Sequence, residues 1–145
     1  MIFPVIIKYK SRDYEEMVAL RHKILRQPLG LNFSEEDLLP DEKDILLGLS
    51  APRPRRIAAC CILSPVDDRT VKLRQMAVDD IIQKSGLGKN LLSFAELIAK
   101  KEDFKIIILH AREVAVDFYK KNGYEIKGEE FTEVGISHYK MTKLL

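Results

Sequence analysis

Leu73-Arg74-Gln75-Met76-Ala77-Val78, followed shortly by Gln83-Lys84-Ser85-Gly86-Leu87-Gly88, is the stretch on which the reading of this chain turns. Thr70 to Val78 is rich in β-branched and apolar residues and reads as a strand. After Gly88 the period changes, because Leu87, Leu91, Phe94, Ala95 and Ile98 fall on one face of a helix that runs to about Lys101. A strand therefore passes through a glycine turn into a helix. The first N–H groups of such a helix have no internal partner and sit at its positive end, so the turn can bind an anion.

On the N-terminal side, Val5 to Tyr9 reads as a strand. Asp13 and Glu16 then have capping-box spacing ahead of the helical stripe Met17, Leu20 and Ile24. Pro28 and Gly30 stop that helix, and Ser34 with Asp37 predicts a short second helix ended by Pro40. Leu29 to Asp44 is otherwise loop. Ile45 to Leu49 and Ile57 to Leu63 form an antiparallel pair across a connection holding Pro52 and Pro54, and Pro65-Val66-Asp67-Asp68 turns the chain into Thr70 to Val78.

On the C-terminal side, Ile106 to Leu109 is an unbroken apolar run of the kind buried on both faces. Val114, Ala115, Phe118 and Tyr119 give another helical face, closed by Asn122-Gly123 as a C-cap. Tyr124 to Lys127 and Ile136 to Met141 read as the last strands. The order predicts one α/β (α+β) domain over 1–145, with a mixed, mostly antiparallel twisted sheet of about seven strands flanked by helices.

The chain has 145 residues, 46% of them hydrophobic, enough for a sizeable core, and a formal charge of +2 that argues for neither a nucleic-acid nor a membrane surface. Cys60 and Cys61 are adjacent in a strand that points them to opposite faces, which disfavours a disulfide between them. They read as core thiols in a reducing compartment. The start MIFPVIIKYK is too short in apolar residues to span a membrane and lacks a basic leader, so a cytoplasmic location is expected. The histidines and cysteines lack metal-ligand spacing, and no metal is expected. Arg53, Arg55 and Arg56 read as a solvated loop, or as a patch that touches an acidic ligand or partner.

Known phosphate-binding motifs fit the turn only in part. The nucleotide P-loop requires glycine where Gln83 stands and Ser or Thr where Asn90 stands, and the dinucleotide fingerprint requires glycine at Leu91. What remains is Gln-x-x-Gly-x-Gly, which by itself suits a plain helix start equally well. With Leu73 to Val78 before it and Phe118-Tyr119-Lys120-Lys121-Asn122-Gly123-Tyr124 after it, the pattern resembles the (Arg/Gln)-x-x-Gly-x-(Gly/Ala) signature of the GCN5-related N-acetyltransferase (GNAT) superfamily. Glu133 to Met141 is also similar to its small bacterial members.

The resemblance implies an acetyltransferase that uses acetyl-coenzyme A and a small-molecule or peptide amine, with a homodimer left open. The turn Gln83, Lys84, Ser85, Gly86, Leu87 and Gly88, with Lys89, is implied to hold the pyrophosphate. Met76, Ala77 and Val78 are implied to line the pantetheine arm, at a bulge where their strand splays from Ile106 to Leu109. Two positions depart from the family: Gln83 stands where arginine is commoner, and Arg112 where an asparagine is frequent beside the cofactor arm. Tyr119 matches the tyrosine that protonates the leaving thiolate. An attacking amine must also lose a proton, and His138 and His110 are the candidate acceptors, with His22 read as structural. The acidic run Glu35, Glu36, Asp37, Asp41, Glu42 and Asp44 either borders a pocket for a cationic amine or is a solvated face with helix-start charges. Rival readings are a non-catalytic acyl-coenzyme A sensor and a protein interaction module.

Overall fold

The computed structural model describes residues 2–52, 54–80 and 86–145. Among them an eight-stranded sheet forms the centre: β1 (Phe3–Ile7), β2 (Ile45–Ala51), β3 (Arg56–Pro65), β4 (Thr70–Val78), β5 (Ile106–Arg112), β6 (Glu125–Ile126), β7 (Phe131–Glu133) and β8 (Ile136–Leu144). The order is β1-β2-β3-β4-β5-β8-β6, with β7 also on β8. Every pairing is antiparallel except the parallel β4–β5 ladder. A parallel pair needs a crossover, and α3 (Leu87–Lys101) supplies it.

The sheet separates two apolar layers. On one face α3 buries Leu87, Leu91, Leu92, Ala95 and Ala99 against Val71, Leu73, Ile107 and Leu109, joined by Tyr119 of α4 (Val116–Lys121). Each large side chain so buried contributes about 1.5–3 kcal/mol. On the other face α1 (Arg12–Arg21) sets Tyr14, Met17 and Leu20 against Ile7, Ile57, Cys60 and Ile62. Cys60 and Cys61 are fully buried and free, one in each layer, as strand alternation requires. No helix among the described residues is long and apolar enough to cross a membrane.

The structure shifts several sequence-based expectations. Ser11, not Asp13, caps α1 by accepting from the Tyr14 amide; Asp13 instead binds Arg55, and Glu16 accepts from the Ile57 amide. The Ser34–Asp37 capping box is present on α2 (Glu35–Leu38). Val114 does not join the α4 face and is 94% exposed, because Glu113–Ala115 is a tighter 3-10 turn that rotates it out of phase. β5 runs on to Arg112 and β8 to Leu144, and β7 is an additional strand. Arg53 lies outside the described residues.

Candidate active site

β4 and β5 pair only from Thr70–Leu73 against Ile106–Leu109. Beyond Leu73 the ladder stops, because β4 carries Gln75 and Met76 opposite the single residue Cys61 of β3. Gln75 takes φ 52°, the left-handed conformation of a bulge, and bends β4 away. β5 is held on course by β8 through Arg112, paired with His138. The divergence opens a cavity of about 400 Å³ between the two strands.

Strand alternation decides what enters it. Leu73, Leu109 and Ala111 face the α3 layer, so Lys72, Arg74, His110 and Arg112 fall on the opposite face. The helical turns continuing α1 add Leu25 and Arg26, α4 contributes Tyr119, and the β7–β8 hairpin adds Glu133, Val134 and His138. Met76, Arg112, Tyr119, His110 and His138, candidates from distant parts of the sequence, thus line one chamber.

Tyr119 is 9% exposed, and its hydroxyl donates to the Met76 thioether at 3.4 Å. Burial pushes its phenol well above the ordinary tyrosine range, and Cys61 adds to the shift. It therefore stays protonated and suits a proton donor, not a base. His138 is 4% exposed; its Nδ1–H donates to the Ile136 carbonyl at 2.8 Å, which fixes the tautomer and leaves Nε2 to accept. Nε2 lies 3.6 Å from Oε2 of Glu133, whose Oε1 is 3.3 Å from Nδ1 of His110. The same His110 nitrogen is 3.3 Å from Nζ of Lys72, so it either accepts from that ammonium or, protonated, donates to Glu133. Burial lowers the Lys72 pKa against the opposing pull of Glu133.

Gly86 opens α3 at φ 79°, and among the described residues no side chain caps its first amides. A Cβ at Gly88 would lie 3.3 Å from Phe118 Cζ and 3.7 Å from Met76 Cε. The bare helix start is thereby packed against the bulge that opens the cavity. Leu87 buries its side chain in the core, Ala77 packs in the α1 layer, and Lys89 is exposed. Gln83, Lys84 and Ser85 lie outside the described residues.

Other candidates are elsewhere. His22 bonds Asn32 through Nε2 at 2.8 Å and does not line the cavity. Burial pushes the Cys60 thiol up to about 12 and the Cys61 thiol well above its ordinary value, which removes both as nucleophiles. The acidic run does not line the cavity. Asp37 caps α2, Asp44 pairs with Arg74, and Asp41 is fully buried, accepting from Arg21 at 2.8 Å and from Tyr14 at 2.7 Å. Sequence reading passed over Glu133, Lys72 and Gln75. Gly135 was the available signal for Glu133, since a two-residue Val134-Gly135 turn sets Glu133 opposite Ile136.

A model of the acetyltransferase (GNAT) domain matches residues 56–145, the part of the chain that holds β4, α3, β5, α4 and the hairpin. The Bacillus subtilis (strain 168) protein YyaT is 40% identical over 135 residues, spanning 90% of this chain and 88% of YyaT. A crystal structure from Lactobacillus plantarum superposes with a TM-score of 0.88 at 21% identity, over 99% of this chain and 98% of that one. A GNAT acetyltransferase of Elizabethkingia anophelis, solved with acetyl-CoA bound, gives 0.76 at 20% identity over the same shares. The domain match and the shared architecture establish that this chain belongs to the GNAT family of acetyltransferases.

Proposed function

We propose that the protein transfers the acetyl group of acetyl-coenzyme A to a primary amine of a small molecule or peptide, by direct attack with both substrates bound. The observation that carries this reading is the single chamber at the β4–β5 divergence, where a buried, protonated tyrosine and a tautomer-fixed histidine meet a strand whose ladder has ended.

The residues fit the donor. Where β4 leaves β5, the pantetheine amides find a strand edge to extend, with backbone groups of Met76 to Val78 as partners. Gln75 Oε1, buried without a hydrogen-bond partner, is an acceptor awaiting a donor in the same cavity. The uncapped start of α3 at Gly86 to Lys89, packed against Met76 through Gly88, receives the pyrophosphate. Gln83, Lys84 and Ser85 complete that turn in the proposal, and Arg112 flanks the arm. When bound, acetyl-coenzyme A supplies an activated thioester.

The chain's residues then manage two protons. His138 Nε2 takes one from the acceptor's ammonium, freeing the neutral amine that attacks, and Glu133 beside it stabilises the imidazolium formed. Tyr119, kept protonated by burial, gives one to the departing sulfur as the C–S bond breaks and regains one from the nitrogen as the amide forms. Holding amine and thioester together in about 400 Å³ supplies the rest through proximity. Free-thiol release from acetyl-coenzyme A across a panel of primary amines is the test. Release that depends on the amine is expected. Calorimetric binding without release from any amine points to an acyl-carrier sensor instead, and absence of binding overturns the reading.

A further inference from the structure

The cavity's charge is lopsided. Arg26, Lys72, Arg74 and Arg112 line it against one carboxylate, Glu133. The four cations come from three elements, Arg26 from the turns after α1, Lys72 and Arg74 from β4 and Arg112 from β5, so helix periodicity or a single solvated charge run does not account for their convergence. Two of them have their charge met: Arg74 by Asp44 at 3.3 Å, and Lys72 in part by Glu133. Arg26 and Arg112 make no ion pair among the described residues. The guanidinium of Arg26 stacks on Phe33 at 4.8 Å, its Nε is buried without a partner, and Asp37, which senses it, is engaged with Ser34. Arg112 makes one long bond, 3.4 Å, to the Leu25 carbonyl.

These cations are not placed for the donor's phosphates. Lys72, Arg74 and Arg112 alternate with Leu73 and Ala111, which face the α3 layer, so they project from the opposite side of the sheet to the start of α3. Both arginines are half-buried, and a partly desolvated guanidinium without a carboxylate partner is one that an anionic ligand compensates. Resting on the reading above, we infer that the acceptor is an amine that also carries an anionic group, a carboxylate or a phosphate, which docks between Arg26 and Arg112 while its amino group meets Glu133 and His138. In the acidic segment, which suggested a cationic acceptor, Asp41, Asp44 and Asp37 are engaged by Arg21, Arg74 and the α2 cap, while Glu35, Glu36 and Glu42 are exposed and do not line the cavity.

The test is thiol release from acetyl-coenzyme A with matched amines: each free L-amino acid beside its carboxamide, and 2-aminoethyl phosphate beside ethanolamine, with spermidine as a cationic control. The expected result is a kcat/KM at least tenfold higher for the anionic member of a pair, the first set reporting carboxylate and the second phosphate. Arg26→Gln is expected to collapse that ratio at least fivefold. Preference for the neutral partners or for spermidine overturns the inference while leaving acetyl transfer intact. So does an anion preference that survives Arg26→Gln and Arg112→Gln undiminished, or acetyl-coenzyme A binding without release from any anionic amine. Failure to bind acetyl-coenzyme A overturns the proposed function itself.

Discussion

Replacing Tyr119 by Phe separates chemistry from packing. Among the described residues the hydroxyl hydrogen-bonds only the Met76 thioether, a weak acceptor, at 3.4 Å, while the ring holds its edge contacts with Phe118 at 5.2 Å and Tyr124 at 5.7 Å. Phenylalanine keeps those contacts, so the stability change is about 1 kcal/mol or less, a Tm shift within about 4 °C for a domain of this size. Catalysis loses its proton donor, which costs about 10²–10⁴-fold in kcat, or about 2.7–5.4 kcal/mol in the barrier. The pH dependence follows from the direction of the shift. Burial raises the phenol pKa, so the donor form persists above the ordinary tyrosine value of about 10 and is lost only as pH rises through the higher folded value. The wild-type rate profile therefore shows no falling basic limb below about pH 10. Thiol release and thermal melting on the same two samples decide the matter. A variant within about threefold of wild type, or one whose Tm falls by about 8 °C or more, refutes a chemical role for this hydroxyl.

His138→Gln keeps a donor toward the Ile136 carbonyl but removes the proton acceptor, so kcat/KM falls about 10²–10⁴-fold near neutral pH with little change in acetyl-coenzyme A affinity, read by calorimetry beside turnover. Asp41→Asn strands the buried Arg21 charge and lowers stability by about 3–5 kcal/mol in urea unfolding. Val134→Asn relieves a β-branched residue at φ 47° in the hairpin turn before Gly135 and raises stability by about 1–2 kcal/mol in the same assay. Native protein treated with iodoacetamide stays unlabelled at Cys60 and Cys61, and no acetyl adduct forms on either thiol under turnover, as intact-mass spectrometry reports.

The strand, glycine turn and helix between Thr70 and Lys101 were legible because the apolar period changes there and Gly86 and Gly88 punctuate the change. The bulge on β4 was legible through the family resemblance alone, since nothing local distinguishes Gln75 from its neighbours. Asp41 read as one of an acidic run, either bordering a pocket or solvated, because its partner Arg21 lies in a different helix, and sequence order does not record that approach. Val114 was misread for a smaller reason: a 3-10 turn advances the chain by a different angle from an α-turn, and one such turn before α4 moves a residue from core to solvent. Glu133 was missed because β7 spans only Phe131–Glu133, too short for a period to register, and its exposed neighbours resemble a loop. The donor half of the site is written in contiguous motifs. The acceptor half as proposed draws on Arg26, Arg112, Glu133 and His138, which line one cavity only after the sheet has formed.

Hydrogen–deuterium exchange with and without acetyl-coenzyme A tests the central claim most directly, because it reports where the ligand sits as well as whether it binds. The account predicts slower exchange at amides of Met76 to Val78 and of the turn leading into α3 through Lys89. Unchanged exchange at both segments, or protection located away from the β4–β5 divergence and the start of α3, contradicts it.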